Sequence, residues 1–185
     1  MERLKELTSI EDPVKRRTLF VGILTDEIKK RGGKEPIVVG GLALEIYTQG
    51  SYTTGDIDIK APKEILETIL REWQFIKKGR VWFNEDMDIY IDWLGAALDE
   101  GKEAEERVNS VIVGDSFEIK VISIEDLIID RLNSCKWWKD EDSLMWAKVL
   151  LKVKIAMGEP IDKEYLRKRA SEDKVKELLE QLLKG

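Results

Sequence analysis

The chain has 185 residues, of which 43% are hydrophobic and 37% are charged, and its formal net charge is −6. This length and composition predict a soluble globular protein with one main hydrophobic core, and the net charge excludes a surface that is basic all over. The sequence contains no histidine and a single cysteine, Cys135. Histidine-based acid–base catalysis, histidine zinc sites and an internal disulfide framework are therefore excluded.

The location of the protein is predicted from what the sequence lacks. No apolar run approaches the roughly 20 residues that a membrane span needs, and the N-terminal residues lack the apolar region of a signal peptide. We therefore expect a cytoplasmic protein without a membrane partner. The excess of Lys and Glu over Asn and Gln is typical of proteins from thermophiles.

The first part of the chain is predicted to alternate helices and strands. One helix starts at Asp12, a favourable N-cap residue, with Pro13 at the first helical position. In chain order, the patterns predict a helical turn or two over residues 2–8, this helix to about residue 30, a strand at 37–39, a helix at 42–47, a strand carrying residues 56–59 and a helix at 62–73.

Further strands precede an all-helical end. The patterns predict strands at 75–77, 81–83 and 87–93, a charged helix or loop at 96–106, a hairpin formed by 107–113 and 117–122, and three or four helices at about 124–135, 140–157, 163–170 and 172–184. We therefore predict an α+β fold with a small mixed sheet flanked by helices over residues 1–122. A C-terminal helical region, residues 123–185, is predicted to pack on this core.

A Gly-Gly pair followed by two closely spaced aspartates is the stretch most typical of a functional site. Gly40 and Gly41 lie between a predicted strand and a helix, where free backbone N–H groups and the positive end of the helix dipole favour an anion. Asp56 and Asp58 project from the same side of the next strand because strand side chains alternate. Adjacent carboxylates repel each other, and their hard oxygens suit Mg²⁺. The stretch predicts a site for a metal-bound nucleoside triphosphate.

Each of these residues also has a purely structural explanation. Gly40 and Gly41 could allow a tight turn, which is compatible with the functional interpretation. Asp56 and Asp58 could form the polar face of a half-exposed antiparallel strand.

The Gly-Gly pair, the spacer and the Asp-Ile-Asp-Ile sequence from Asp56 resemble the signature of the nucleotidyltransferase superfamily, which includes DNA polymerase beta. Within it, the chain is most similar to minimal and abortive-infection-type (AbiEii-like) nucleotidyltransferases, many of which are toxins of toxin–antitoxin pairs. Thr54 matches a small hydroxyl residue that relatives place two positions before the first acid, where it would bind nucleotide. Many relatives also carry a basic residue in this loop, and this chain does not.

The resemblance implies a third carboxylate on a later strand. Asp88 and Asp92 share one face of the predicted strand 87–93 by alternation. Asp92 is preferred because an acid after an apolar run at the end of a strand resembles the family's third position, and Asp88 is the alternative. Both acids could instead be solvated charges at a strand edge.

The helical region after residue 122 resembles the part of the family in which a basic and an acidic residue bind nucleotide. Arg131 takes the basic position and Asp142 the acidic one, with Asp140 as the alternative. Charged residues near helix ends are equally often only solvent-facing. Trp137, Trp138 and Trp146 could stack a nucleic-acid base, but tryptophans at this spacing more often belong to an interhelical core. We predict such a core here, together with a buried Cys135.

The resemblance implies transfer of a nucleoside monophosphate from a nucleoside triphosphate such as ATP to a hydroxyl, with release of pyrophosphate. Asp56 and Asp58 would hold two Mg²⁺ or Mn²⁺ ions, and Asp92 would bind the ion on the acceptor side. The implied partners are the triphosphate, an acceptor that is an RNA such as tRNA, a protein or a small molecule, and an antitoxin protein. The alternative is a catalytically degenerate member that binds nucleotide, RNA or a protein partner.

Overall fold

The structure is a computed structural model that describes residues 2–184. The chain divides into two compact units. The first consists of the residues up to 46 together with Gly50–Ile122, and the second of Tyr47–Gln49 together with the residues from 123 onward. No helix among the described residues is long and apolar enough to cross a membrane.

Five helices belong wholly or mainly to the described part of the first unit. They are α1 (Glu2–Leu7), α2 (Pro13–Lys30), α3 (Gly40–Tyr47), α4 (Lys63–Glu72) and α5 (Lys102–Glu106). Asp12 caps α2 as predicted, because its carboxylate accepts hydrogen bonds from the backbone N–H groups of Val14 and Lys15 at 2.9 and 3.1 Å.

The first unit contains one mixed sheet. Its strands are β1 (Ile37–Val38), β2 (Ile57–Lys60), β3 (Ile76–Lys78), β4 (Val81–Asn84), β5 (Ile89–Trp93), β6 (Asn109–Val113) and β7 (Phe117–Val121). Their order across the sheet is β3-β4-β5-β2-β1-β7-β6. β2 is parallel to β5 and β1 is parallel to β7, whereas the other neighbours are antiparallel. The predicted mixed sheet is confirmed, and β1 and β2 are neighbours near its centre.

Strands β2 and β5 each have one buried apolar face and carry an acidic residue on the other face. Ile57 and Ile59 of β2 and Ile91 of β5 are fully buried. Because side chains alternate along a strand, Asp58 and Asp92 project from the opposite face. The apolar residues therefore hold the backbone that carries the two acids.

Three predicted boundaries are wrong, and each shift changes the setting of a candidate residue. α3 begins at Gly40, so both glycines lie inside its first turn. β2 begins at Ile57, so Asp56 directly precedes the strand. β5 begins at Ile89 because Asp88 has a φ of 50°, a left-handed conformation that ends an extended strand.

A buried ion pair joins α2 to α3. Arg17 Nη2 donates to both carboxylate oxygens of Glu45, at 3.0 and 2.7 Å. The Glu45 side chain has no exposed surface and that of Arg17 is 7% exposed. Since a charge in this position cannot be compensated by water, each partner depends on the other. The pair connects the helix that begins with Gly40 to the longest helix of the unit.

The second unit is helical. Its helices are α6 (Ile124–Trp137), α7 (Glu141–Ala156), α8 (Lys163–Glu172) and α9 (Lys176–Lys184). Ser123 caps α6, as its hydroxyl oxygen accepts from the Asp126 N–H at 3.0 Å. The buried Asp126 carboxylate accepts hydrogen bonds from the hydroxyls of Ser123 and Tyr165 at 2.6 and 2.7 Å, which connects α6 to α8.

The Arg17–Glu45 pair gives a prediction about stability. Glu45→Ala is expected to reduce the free energy of unfolding by about 3–5 kcal/mol, because it leaves the Arg17 guanidinium buried without its counterion. Urea denaturation followed by circular dichroism measures this change. Asp26→Ala is the control, because it removes only the exposed ion pairs with Lys30 and Arg3 and should cost less than about 1 kcal/mol. Equal losses in the two variants would contradict the importance of the buried pair.

Candidate functional site

The carboxylate of Asp58 lies against the first turn of α3. The backbone N–H of Gly41 donates to Asp58 Oδ2 at 2.8 Å. A Cβ on Gly40 would lie 2.2 Å from the same oxygen, and Gly40 has a φ of +54°. No side chain fits at Gly40, so the glycine is required for the close approach of the carboxylate to the helix. The positive end of the α3 dipole faces this carboxylate.

Asp56 is held by a contact within the loop that precedes β2. The Thr54 hydroxyl donates to Asp56 Oδ1 at 2.8 Å. A Cβ on Gly41 would lie 2.8 Å from Thr54 Oγ1, so this glycine allows the threonine to approach the helix. Gly40 therefore leaves room for the Asp58 carboxylate. Gly41 leaves room for Thr54, which orients Asp56.

Asp92 lies beside Asp58 in the sheet. The two residues are Cα partners in the parallel pairing of β2 with β5, and neighbouring strands are about 4.8 Å apart. Asp92 is 9% exposed. Two carboxylates on the same face of adjacent strands repel each other, and partial burial increases the repulsion.

Arg80 is the cation next to Asp92. Its Nε lies 2.7 Å from Asp92 Oδ1, but not in the direction needed for a hydrogen bond, and the buried Oδ1 has no hydrogen-bond donor. The side chain of Arg80 is 66% exposed. The contact is therefore a poorly aligned ion pair between an exposed guanidinium and a buried carboxylate, and it leaves Asp92 Oδ1 without a hydrogen bond.

Asp88 has a different environment. Its carboxylate pairs with Arg16 at 3.1 Å and its side chain is 61% exposed. Because Asp88 precedes β5 in a left-handed conformation, it does not share a strand face with Asp92. The expectation that these two acids lie on one face is wrong.

The donor set is suited to a hard cation only in part. Carboxylate oxygens are the ligands that Mg²⁺ prefers, and the unsatisfied oxygen of Asp92 beside Asp58 fits such an ion. Among the described side chains, those of residues 3–184, however, no group of three or more Asp, Glu or Cys is arranged so that it could hold a metal. Asp56, Asp58 and Asp92 are instead held by Thr54, Gly41 and Arg80, respectively.

The candidate residues of the helical region lie in the second unit. Arg131 on α6 pairs with the neighbouring Asp130 at 2.5 Å. Asp142 is exposed in the first turn of α7. Asp140 is the N-cap residue of that helix and accepts from the Ser143 hydroxyl at 2.6 Å. Binding of nucleotide by Arg131 and Asp142 stays a prediction.

The expected tryptophan core is wrong. Trp137 and Trp138 are 55% and 81% exposed at the end of α6. Trp146 and Cys135 are half-buried. The apolar positions of α6 that pack inside the unit are earlier in the helix, such as Leu127 and Leu132.

Arg80 was not identified from the sequence. It lies in the turn that precedes β4, one residue before Val81, which pairs with Asp92, and its backbone lies opposite Trp93. Regular alternation would place the Arg80 side chain on the face opposite Asp92, so strand pairing alone does not predict this contact.

The solved structures that match this chain are distant from it in sequence. A solution structure of the antibiotic-resistance factor ANT(2'')-Ia is 19% identical to this chain with a TM-score of 0.48, covering 75% of this chain and 86% of that one. A crystal structure of ANT(2'')-Ia in complex with adenylyl-2''-tobramycin is 22% identical with a TM-score of 0.49, covering 75% and 92%, respectively. The polyadenylate synthase of Megavirus is 18% identical with a TM-score of 0.43, covering 82% of this chain and 34% of that chain. No curated protein matches the sequence.

A family match gives a stronger result than these similarities. The profile of a family described as "Nucleotidyltransferase of unknown function (DUF6036)" matches residues 22–182. This range includes the glycine pair, the three acids, the complete sheet and most of the helical unit. The match confirms the predicted nucleotidyltransferase superfamily and its mixed α and β fold. The chain therefore belongs to the DUF6036 family and is an enzyme of the nucleotidyltransferase class.

Proposed function

We propose that the protein transfers a nucleoside monophosphate from a nucleoside triphosphate to a hydroxyl, in a reaction that depends on Mg²⁺ or Mn²⁺. The observation that carries this proposal is the pairing of Asp58 with Asp92 in adjacent parallel strands, with Asp92 Oδ1 buried and without a hydrogen-bond donor. Such a pair is most stable with a divalent cation beside it. Family membership supports the same reaction class.

The surroundings of the two acids support a binding role for a cation. Arg80 contributes one positive charge, but it is largely exposed and not aligned with Asp92. Because the Arg80 side chain is 66% exposed, water can solvate its guanidinium when a divalent ion takes its place beside Asp92. When bound, the metal would neutralise the triphosphate and make the acceptor hydroxyl more acidic.

The residues around the acids have distinct proposed roles. The Gly41 N–H orients Asp58, and the Thr54 hydroxyl orients Asp56. The first turn of α3, with Gly40 and Gly41, provides the positive end of a helix dipole, which favours the triphosphate. Arg131 and Asp142 are proposed to bind nucleotide from the helical unit on the strength of the family resemblance alone.

The reaction forms a bond between the acceptor oxygen and the α-phosphorus and breaks the bond from that phosphorus to the β-phosphate oxygen. Pyrophosphate leaves, and the acceptor hydroxyl loses one proton. Asp92 is the carboxylate that we propose to assist in accepting this proton, because its Oδ1 has no other hydrogen bond. No covalent intermediate with the protein is required, which is consistent with a chain that lacks histidine.

One observation favours the second candidate function, which is a degenerate member that binds nucleotide, RNA or protein without catalysis. Among the described residues, the three acids do not form a group that could hold a metal. The Nε of Arg80 lies next to the Asp92 carboxylate. An arginine that permanently replaces the cation would leave nucleotide binding without transfer. The acceptor class, a role as a toxin with an antitoxin partner, the cytoplasmic location and a thermophilic source stay predictions.

The first test concerns metal-dependent nucleotide binding. Wild-type protein should bind ATP, or whichever triphosphate it selects, more tightly as Mg²⁺ is added, because the ion shares phosphate and carboxylate ligands. The double variant Asp56→Asn and Asp58→Asn should lose this dependence, as measured by isothermal titration calorimetry with and without Mg²⁺. Asp88→Asn is the control and should bind as wild type does. An unchanged Mg²⁺ dependence in the double variant would refute the site.

The second test separates the roles of the two later acids. Asp92→Asn should keep the dissociation constant for the triphosphate within a few fold while reducing single-turnover transfer by about a thousandfold or more, since activation of the acceptor matters mainly in the transition state. Asp88→Asn should cost little, because its carboxylate only pairs with Arg16. Labelled triphosphates with RNA, protein and small-molecule acceptors provide the measurement.

Three outcomes distinguish the candidates in this second test. Equal transfer rates for Asp92→Asn and wild type would refute the role of Asp92. A large loss only in Asp88→Asn would move the third acid to that position. Wild-type protein that binds the Mg²⁺–triphosphate complex but transfers to no acceptor class would favour the degenerate binder.

A further inference from the structure

Two adjacent tryptophans at the end of α6 are exposed to solvent. The side chain of Trp138 is the more exposed, at 81%, and that of Trp137 is 55% exposed. They lie between Lys136 and Lys139 in the sequence. Large aromatic surfaces left in water are unfavourable unless a partner covers them, and flat indole rings are suited to stacking against flat ligands.

A basic pocket of about 560 Å³ lies in the same unit. Four lysines line it, one from α6, one from the α8–α9 connection and two from α9: Lys136, Lys174, Lys176 and Lys184. This volume is in the range that accommodates a small ligand or one nucleotide. Although the whole chain has a net charge of −6, the lysines concentrate positive charge at this position.

Lys136 connects the pocket to Trp137, and Trp138 is the next residue in the chain. Its Nζ lies 4.7 Å from the centroid of the Trp137 ring, and it donates a hydrogen bond to the backbone carbonyl of Lys174. The ammonium group therefore contacts the aromatic surface on one side and the pocket on the other. We use "lysine–tryptophan surface" for the set Lys136, Trp137, Trp138, Lys174, Lys176 and Lys184.

The other residues of the pocket are two glutamates, which reduce its positive charge, and a glutamine. Their oxygen and nitrogen atoms favour a ligand with hydroxyl groups. Glu177, Glu180 and Gln181 also line it. The Glu180 carboxylate accepts a hydrogen bond from Arg167 at 2.8 Å, so its charge is already paired. Glu177 and Gln181 can hydrogen-bond to hydroxyls between the lysines, and ribose provides a 2′-hydroxyl beside each phosphate.

We propose that the lysine–tryptophan surface binds single-stranded RNA. The indole rings would stack on unpaired bases, the lysines would bind phosphates, and Glu177 and Gln181 would bind ribose hydroxyls. An acidic peptide could pair with the lysines, but its acidic side chains carry no flat ring, whereas RNA provides a base for stacking with every phosphate. The proposal is independent of the transfer reaction, since binding can be measured without triphosphate or metal.

The test uses the full chain and a labelled, unstructured RNA of about 12 nucleotides, a length within the site sizes of single-strand binders. Fluorescence anisotropy in low salt with EDTA gives the dissociation constant. Trp138→Ala should weaken binding about tenfold, because stacking on one aromatic side chain contributes at this level. Ile155→Ala is the matched control, as Ile155 is 62% exposed on α7 and lies outside the surface.

The salt dependence tests the lysines separately. Four phosphate contacts predict a slope of log K against log salt concentration near −3, and Lys176→Ala should flatten it by about 0.7. Lys152→Ala, at an exposed position on α7 outside the surface, should leave the slope unchanged.

Several results would overturn this proposal without affecting the transfer reaction. These are the absence of RNA binding at low salt, equal effects of Trp138→Ala and Ile155→Ala, tighter binding of DNA of the same sequence, and displacement of the RNA by a glutamate-rich peptide at lower concentration than by unlabelled RNA. Loss of metal-dependent triphosphate binding in the Asp56 and Asp58 variant, with RNA binding retained, would show that the two sites are separate.

Discussion

The repulsion between Asp58 and Asp92 is the constraint on which the first unit depends. Their backbones are fixed side by side by the parallel pairing of β2 with β5, which the buried isoleucines of both strands hold in register. The protein offsets the repulsion with the first turn of α3 on one side and with Arg80 on the other. The helix contribution is built into the fold, whereas Arg80 is exposed and replaceable. This difference is why we infer that a divalent cation belongs there.

The position of α3 makes this arrangement possible. Because Gly40 has no side chain, the Asp58 carboxylate can come within hydrogen-bond distance of the helix. Any side chain at position 40 would collide with this carboxylate. The buried pair of Arg17 with Glu45 ties the same helix to α2. A helix that supplies both a dipole and a backbone donor must be held firmly, since a small displacement would break a hydrogen bond of 2.8 Å.

The sequence predicted the mixed sheet and the helices after residue 122, because hydrophobic periodicity and turn residues determine these features locally. It could not show that Gly41 binds Asp58, since that contact joins residues separated by a helix and a loop. Alternation placed Asp88 and Asp92 on one face, but the left-handed backbone of Asp88 interrupts the strand. The tryptophans were predicted as core because composition cannot distinguish a buried aromatic residue from an exposed one.

The central claim is that a metal-bound triphosphate lies beside Asp58 and Asp92, and anomalous diffraction from crystals grown with Mn²⁺ and a non-hydrolysable triphosphate tests it most directly. The account predicts an anomalous peak about 2.1 Å from carboxylate oxygens of both residues, a typical distance for small divalent ions, and Arg80 moved away from Asp92. A triphosphate bound elsewhere, with Arg80 still in contact with Asp92 and no Mn²⁺ at either acid, would contradict it.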